Sequence, residues 1–225
     1  MKKGKFLIDV YKKINDKSFN IDEAVQFFVD SKRDKFDETI EISMNLGVDP
    51  RHADQMVRGV ISLPHGTGKK MRVAVFARDE KAEEAKLAGA DVVGAEDLAE
   101  DMQNGNLNYD RIIATPDLMG VVGRIGKVLG PKGLMPNPKL GTVTSDVKKA
   151  VQDIKTGLVE IKNDKDGNVA STIGRKSFST DKLLSNFNHL IDSIKKEKPD
   201  AMKSELIRSV FITSSMGISY KINKA

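Results

Sequence analysis

The sequence predicts a two-domain α+β / α/β protein: a doubly wound α/β domain inserted into a discontinuous α+β domain built from both chain ends. Three observations lead there. Residues 36–46 alternate apolar and polar with period two, as a half-buried strand does. From about 67 to 157, short apolar runs instead alternate with stretches rich in Ala, Glu and Lys, the texture of strand–helix units around a parallel sheet. After Gly157 the period-two texture returns. The expected boundaries are 1–66 plus 158–225 for the composite domain and 67–157 for the insert, joined by a double-stranded hinge at 64–68 and 155–158, where glycines loosen the chain.

Taken in order, residues 4–14 read as a short amphipathic helix carrying Phe6, Leu7, Val10, Tyr11 and Ile14. A second helix begins near Asn20, whose spacing to Glu23 resembles a capping box ahead of Ala24, Val25, Phe27 and Phe28. In the first strand, Phe36, Ile40, Ile42, Met44 and Leu46 fall on one face, and Asp37, Thr39, Glu41, Ser43 and Asn45 on the other. A second strand follows at 56–63, and Pro64-His65-Gly66-Thr67-Gly68 breaks the pattern. The run 71–77, MRVAVFA, is apolar throughout, as a strand buried on both faces is. Helices at 79–88 and 95–104 alternate with strands at 91–93 and 111–115, a Rossmann-like order. A helix is expected at 144–155, N-capped by Thr144 or Ser145. The stretch 158–173 reads as a hairpin turning at Asp166-Gly167, followed by a helix at 180–196 and a last strand at 209–215.

Composition removes several function classes. The chain has 225 residues and no cysteine, so disulfides, thiolate zinc sites and cysteine nucleophiles are excluded. Asp9, Lys12 and Lys13 interrupt the N-terminal apolar run, which therefore does not read as a signal peptide. No apolar stretch approaches the roughly 20 residues of a membrane span. A cytoplasmic protein without membrane association is expected. The net charge of +5 leans mildly toward an anionic partner. Most of that excess lies on the flanks, with 23 basic and 19 acidic residues against 14 and 13 in the middle.

Residues 123–141, GRIGKVLGPKGLMPNPKLG, hold five glycines, three prolines and four basic residues, and no acid occurs between Asp117 and Asp146. The prolines forbid a continuous helix. Lysines such as Lys132 and Lys139 make the run a candidate surface for an anion. It is not a nucleotide loop. Gly68-Lys69 has Leu63 where a phosphate loop needs glycine and Lys70 where it needs Ser or Thr; Gly126-Lys127 fails the same way at Val121 and Val128. Gly123, Gly126 and Gly130 miss the dinucleotide spacing. His52, His65 and His189 are isolated in sequence, and no metal or other cofactor is expected. Two polar patches fit shape-specific RNA contact: Lys35-Phe36 with Thr39 and Glu41, and Thr213-Ser214-Ser215-Met216-Gly217. The polar outer face of an ordinary strand ending in a Ser/Gly turn accounts for them more simply, and the residues alone favour it.

The run 125–137, IGKVLGPKGLMPN, resembles the signature of the large-subunit ribosomal protein L-one family, the proteins of the mobile stalk beside the tRNA exit site. The resemblance extends through KFDETIEISMNLGVDPRHADQMVRG, SLPHGTGK, AGADVVG, ATPDLMG, NPKLGTVT and RSVFITSSMG, in order. It implies a non-enzymatic structural protein, monomeric when free, that binds large-subunit rRNA, assists release of exit-site tRNA and represses its own operon mRNA. Matching positions imply RNA contacts from Lys35, Phe36, Thr39, Glu41, Ser209, Ser215, Met216 and Gly217, to which the polar-patch reading adds Thr213 and Ser214. Lys132 and Lys139 of the insert are implied as secondary contacts. The chain departs from the family where Ile218-Ser219-Tyr220-Lys221 replaces the usual Pro-Ser-Val-Arg, which implies a looser turn and the loss of an arginine fork. The rival class is an α/β enzyme acting on a phosphorylated small molecule through the middle domain, and the failed phosphate-loop spacing speaks against it.

Overall fold

A computed structural model describes residues 18–30, 36–52, 55–198 and 205–223. The helix expected at 4–14 lies outside them. The chain divides into two compact units, one formed by Met1–Gly68 with Val159–Ala225 and the other by Lys69–Leu158.

The first unit is built on helix α1 (Ile21–Asp30), strands β1 (Thr39–Leu46) and β2 (Arg58–Ser62), and, from the far half of the chain, β6 (Leu158–Lys162), β7 (Asn168–Arg175), α7 (Thr180–Lys196), β8 (Ile207–Ser214) and β9 (Tyr220–Ile222). Four strands form an antiparallel sheet in the order β7-β1-β8-β9, and β2 pairs with β6 separately. The alternation in β1 sets the layering: Ile40, Ile42, Met44 and Leu46 are buried, while Glu41 and Ser43 are exposed. The buried face meets α1 through Ala24, Val25 and Phe28, and α7 through Leu183, Phe187, Leu190, Ile191 and Ile194. The i, i+4, i+7, i+8, i+11 spacing of those α7 residues is one helical face, and it matches the sequence expectation for 180–196. Asn186 interrupts that apolar stripe, fully buried. Its Oδ1 accepts from the His65 amide at 3.1 Å, and its Nδ2 donates to the carbonyls of Gly66 (3.0 Å) and Ile173 (2.8 Å). Buried and fully used, it ties the segment that leaves β2 to the core.

Two expectations for this unit need correction. The stretch 158–173 is not a hairpin within one sheet: β6 pairs with β2, β7 pairs with β1, and only the bridge Asn163–Val169 joins them. Asp164 sits in the connecting turn and accepts from the Asp166 and Asn168 amides, so turn chemistry, not a shared ladder, brings the two strands together. Nor is β8 the last strand, since β9 pairs with it through Ile222–Val210 and Tyr220–Ile212. Tyr220 is buried in a cluster with Phe19, Phe27 and Phe28, its ring 5.0 Å from that of Phe28 and nearly perpendicular to it. Of the four residues that depart from the family's usual turn, Tyr220 and Lys221 belong to this paired strand and Ile218 and Ser219 lead into it.

The second unit is a parallel sheet with helices on both faces. Its strands are β3 (Val73–Phe76), β4 (Val92–Gly94) and β5 (Arg111–Ala114), in the order β4-β3-β5. All of β3 is buried, as the apolar run 71–77 requires. Val73 and Val75 face helices α2 (Asp79–Leu87) and α6 (Val147–Thr156) through Ala85, Val147, Val151 and Ile154. Ala74 and Phe76 face α3 (Glu96–Gln103), α4 (Met119–Arg124) and α5 (Gly126–Leu129) through Leu98, Met102, Val122 and Leu129. Asp110 fixes the entry to β3. It accepts from Lys69 Nζ at 2.7 Å and from the Arg72 amide at 3.1 Å, which brings its pKa down to about 2. The helix at 147–156 is capped by Asp146, which accepts from the Lys149 amide, not by Thr144 or Ser145. Thr144 instead donates its backbone N–H to Ala114 and extends the sheet beside β5.

Candidate nucleic-acid interface

The face of the antiparallel sheet turned away from α1 and α7 is built in rows, and the register fixes each row. Glu41 lies between Thr172 of β7 and Thr213 of β8; Ser43 lies between Ala170 and Phe211; Asn45 lies between Asn168 and Ser209. Phe211 in turn faces Lys221 of β9. Residues directly opposite in antiparallel strands share a face, so these hydroxyls, amides, one carboxylate, one aromatic ring and one ammonium form a continuous surface. Asn45 donates to Asn168 Oδ1 at 2.7 Å and fixes the amides' orientation. The surface is short of charge and rich in groups that both donate and accept, which suits ribose hydroxyls and base edges better than it suits a bare phosphate.

At one end of this face the chain is tied in a knot of short contacts. The Ser215 amide donates to the Thr39 carbonyl at 3.0 Å, and the Thr39 amide donates to Ser215 Oγ at 3.1 Å. Beside that link, Phe36 and Met216 are 53% and 56% exposed, large apolar side chains held in solvent. The turn Ser214–Gly217 closes through the Gly217 amide on the Ser214 carbonyl at 2.9 Å. Gly217 fits closely there: a Cβ would lie 2.1 Å from Ser214 Oγ and 3.3 Å from its Cβ, so the serine would have to turn away. Gly217→Ala is expected to destabilise the protein by about 1–3 kcal/mol through this overpacking, as a lower urea midpoint with an unchanged slope would show.

Beneath the knot lies a buried ion pair. Glu38 and Lys176 have side chains 1% and 9% exposed, with Lys176 Nζ 3.0 Å from Glu38 Oε2. Burial works against the charge on Glu38. The Ser214 hydroxyl, the Lys176 ammonium and the Met216 amide lie against the carboxylate and outweigh it, so its pKa falls below the ordinary value. Asp37 completes the anchorage, accepting from the Ser177 amide (3.1 Å) and hydroxyl (2.8 Å). The segment leading into β1 is thus pinned along 175–177.

The sequence-expected residues separate by position. Phe36, Thr39, Glu41, Ser209, Thr213, Ser215, Met216 and Gly217 come together on the open face and at its knotted end. Phe36, whose parity in β1 pointed inward, precedes the strand and is exposed. Ser214 points the other way. It is 3% exposed, and its hydroxyl is turned to the side of the buried Glu38 carboxylate, so it presents no contact on the open face. Lys35 lies outside the described residues. Lys132 and Lys139 are exposed and belong to the second unit, so they are not part of this sheet. There the run 123–141 is partly helical: α4 and α5 break at Ile125, and a short 3-10 helix spans Pro138–Leu140. Asn137 holds the run in shape, accepting from the Lys139 amide (2.9 Å) and donating its own amide to Thr142 Oγ1 (2.8 Å). Gly141 closes it with a positive φ of 66°.

Sequence reasoning missed Asp37, Glu38, Lys176 and Ser177. One signal was available: Glu38 stands at an inward position of the β1 alternation, where a carboxylate needs a partner. Among the described residues, no group of three or more His, Cys, Asp or Glu side chains could hold a metal ion, and no helix is long and apolar enough to cross a membrane. Compared with known families, residues 28–218 match the sequence model described as Ribosomal protein L1p/L10e family.

Proposed function

Since the chain belongs to the Ribosomal protein L1p/L10e family, we propose that it anchors on a folded element of large-subunit rRNA through the open face of its antiparallel sheet and the Ser214–Gly217 turn. Membership implies a structural, ribosome-associated role and rRNA binding in general. The observation that carries the finer reading is the knotted end of the sheet. Phe36 and Met216 are held exposed around a rigid Thr39–Ser215 link, beside a row of hydroxyls and amides. Exposed apolar side chains on a stiff support suit stacking against bases or riboses, and the hydroxyls suit 2′-OH groups.

In this reading the composite unit is the anchor and Lys69–Leu158 the mobile part. The two are joined twice, through 64–68 and through Gly157-Leu158, and the pair of connections serves as the hinge. The inserted unit, with Lys132 and Lys139, extends the stalk and assists exit-site tRNA in leaving. The same anchor recognises the protein's own operon mRNA, whose translation it represses. The free protein is a cytoplasmic monomer.

Capturing the tagged protein from lysate, with and without RNase, and sequencing the bound RNA tests the reading. Enrichment of one large-subunit rRNA segment and of the message encoding the protein is the expected result. Enrichment of rRNA without that message removes the repressor role, and uniform coverage of unrelated RNA removes the specific anchor.

A further inference from the structure

A groove of about 440 Å³ opens beside the start of β8 and the end of β9 in the composite unit. Arg208 and Ser209 of β8, Lys221 of β9, and Lys195 and Lys198 at the end of α7 contribute to its walls. All four cations are exposed, and among the described residues none has an ion-pair partner. Glu205 is the single carboxylate on the wall. Other cations of this unit do have carboxylate partners, as in Arg58–Glu160 and Arg175–Asp37. Four unpaired cations around one concavity raise the local potential and repel one another until an anion enters.

The backbone reinforces the concentration of charge. The β1–β8 register slips between Asn45 and Leu46: Asn45 faces Ser209, Leu46 faces Ile207, and Arg208 is left without an opposite residue. Such a bulge re-aims the side chain of the extra residue. Two residues belong to the groove and to the open face at once. Ser209 faces Asn45 in the sheet, and Lys221 faces Phe211. The hydroxyl-and-amide surface therefore runs without a break into the cationic groove.

We propose that this groove is a subsite for the phosphodiester backbone of the RNA strand that crosses the open face, with Arg208, Lys221, Lys195 and Lys198 as its phosphate contacts. The proposal rests on the reading of the open face as the RNA interface. It divides the labour: the face and its knotted end recognise shape, and the groove supplies the sequence-independent electrostatic attraction.

The test is the affinity of the full chain for the captured large-subunit rRNA segment, measured as a function of potassium chloride concentration. Lys195→Ala/Lys198→Ala is compared with the unsubstituted protein; both residues are exposed, so the fold is retained. The slope of log K against log[salt] is expected to become shallower by about 1–2, with affinity roughly tenfold weaker at low salt. Preference for the segment over a scrambled RNA of equal length is expected to stay the same. An unchanged slope overturns the groove, as does an unchanged slope accompanied by loss of polyglutamate binding, which would reassign it to an acidic protein. Failure of the unsubstituted protein to prefer the segment overturns the open-face reading instead, so the two are separable.

Discussion

Met216→Asp is expected to weaken binding of the large-subunit rRNA segment by about thirtyfold or more, while the protein stays folded. Met216 is 56% exposed, so exchanging it costs little in core packing. Its position gives it leverage at the interface. It sits in the Ser214–Gly217 turn, held by the Thr39–Ser215 link on one side, and its amide lies against Glu38 on the other. A large apolar side chain that is desolvated in a contact is where truncation can cost about 2 kcal/mol or more, and that is about thirtyfold in affinity. Aspartate adds repulsion toward the phosphates, which alanine would not. Filter binding or fluorescence anisotropy reads the affinity, and far-ultraviolet circular dichroism with a urea melt reads the fold. Unchanged affinity would remove Met216 and its turn from the interface.

Lys176→Met is expected to cost about 3–5 kcal/mol of folding stability, because it leaves the Glu38 carboxylate buried with no opposite charge. For a chain of this size, that is a fall in Tm of roughly 10 °C or more. The double variant Glu38→Leu/Lys176→Met removes the orphaned charge as well and is expected to recover most of the loss. No recovery would place the damage in lost packing rather than in the charge. The pH dependence supplies an independent sign. With Lys176 present, the Glu38 pKa lies below its ordinary value of 4.5, so its contribution is whole above that value and is lost as pH falls through the lowered pKa. With methionine in place, burial is opposed only by the Ser214 hydroxyl and the Met216 amide, so the carboxyl's pKa rises from its value in the unsubstituted protein. The stability gap between the two proteins is therefore widest near neutral pH and narrows on acidification. A gap that widens toward acid would contradict the assignment of the pair.

The strands and helices that carry strong periodicity were legible from sequence alone. The β1 alternation assigned buried and open faces correctly from Ile40 to Leu46, and the all-apolar 71–77 run matched a strand covered on both sides. The misses share a physical cause, which is partnership at long range. Tyr220–Ile222 is too short for an alternation to register, and it becomes a strand because β8 offers an edge and three phenylalanines surround Tyr220. The stretch 158–173 has hairpin chemistry at its turn, yet each arm pairs with a strand more than a hundred residues upstream. For the interface, sequence pointed to the open face and its knotted end but not to what holds them. Glu38 and Lys176 are separated by most of the chain, and only the fold brings them together. The same holds for Arg208 and Lys195, ordinary surface charges in sequence that share one groove in space.

The place of β1 in its sheet has a consequence for how the protein is made. Both of its neighbours, β7 and β8, are encoded beyond residue 167, as is α7, so Ile40, Ile42 and Met44 leave the ribosome long before their sheet partners and most of the core that covers them, with only α1 made earlier. At about 5–20 residues per second, the wait for β8 is on the order of ten seconds. During that interval Lys69–Leu158, whose sheet and helices all come from one continuous stretch, is complete and free to fold. The nascent chain thus carries a finished unit behind an unfinished apolar strand. Trigger-type chaperones that shield exposed strands during elongation are accordingly expected to matter more for this protein than for one whose strands pair in the order they are translated.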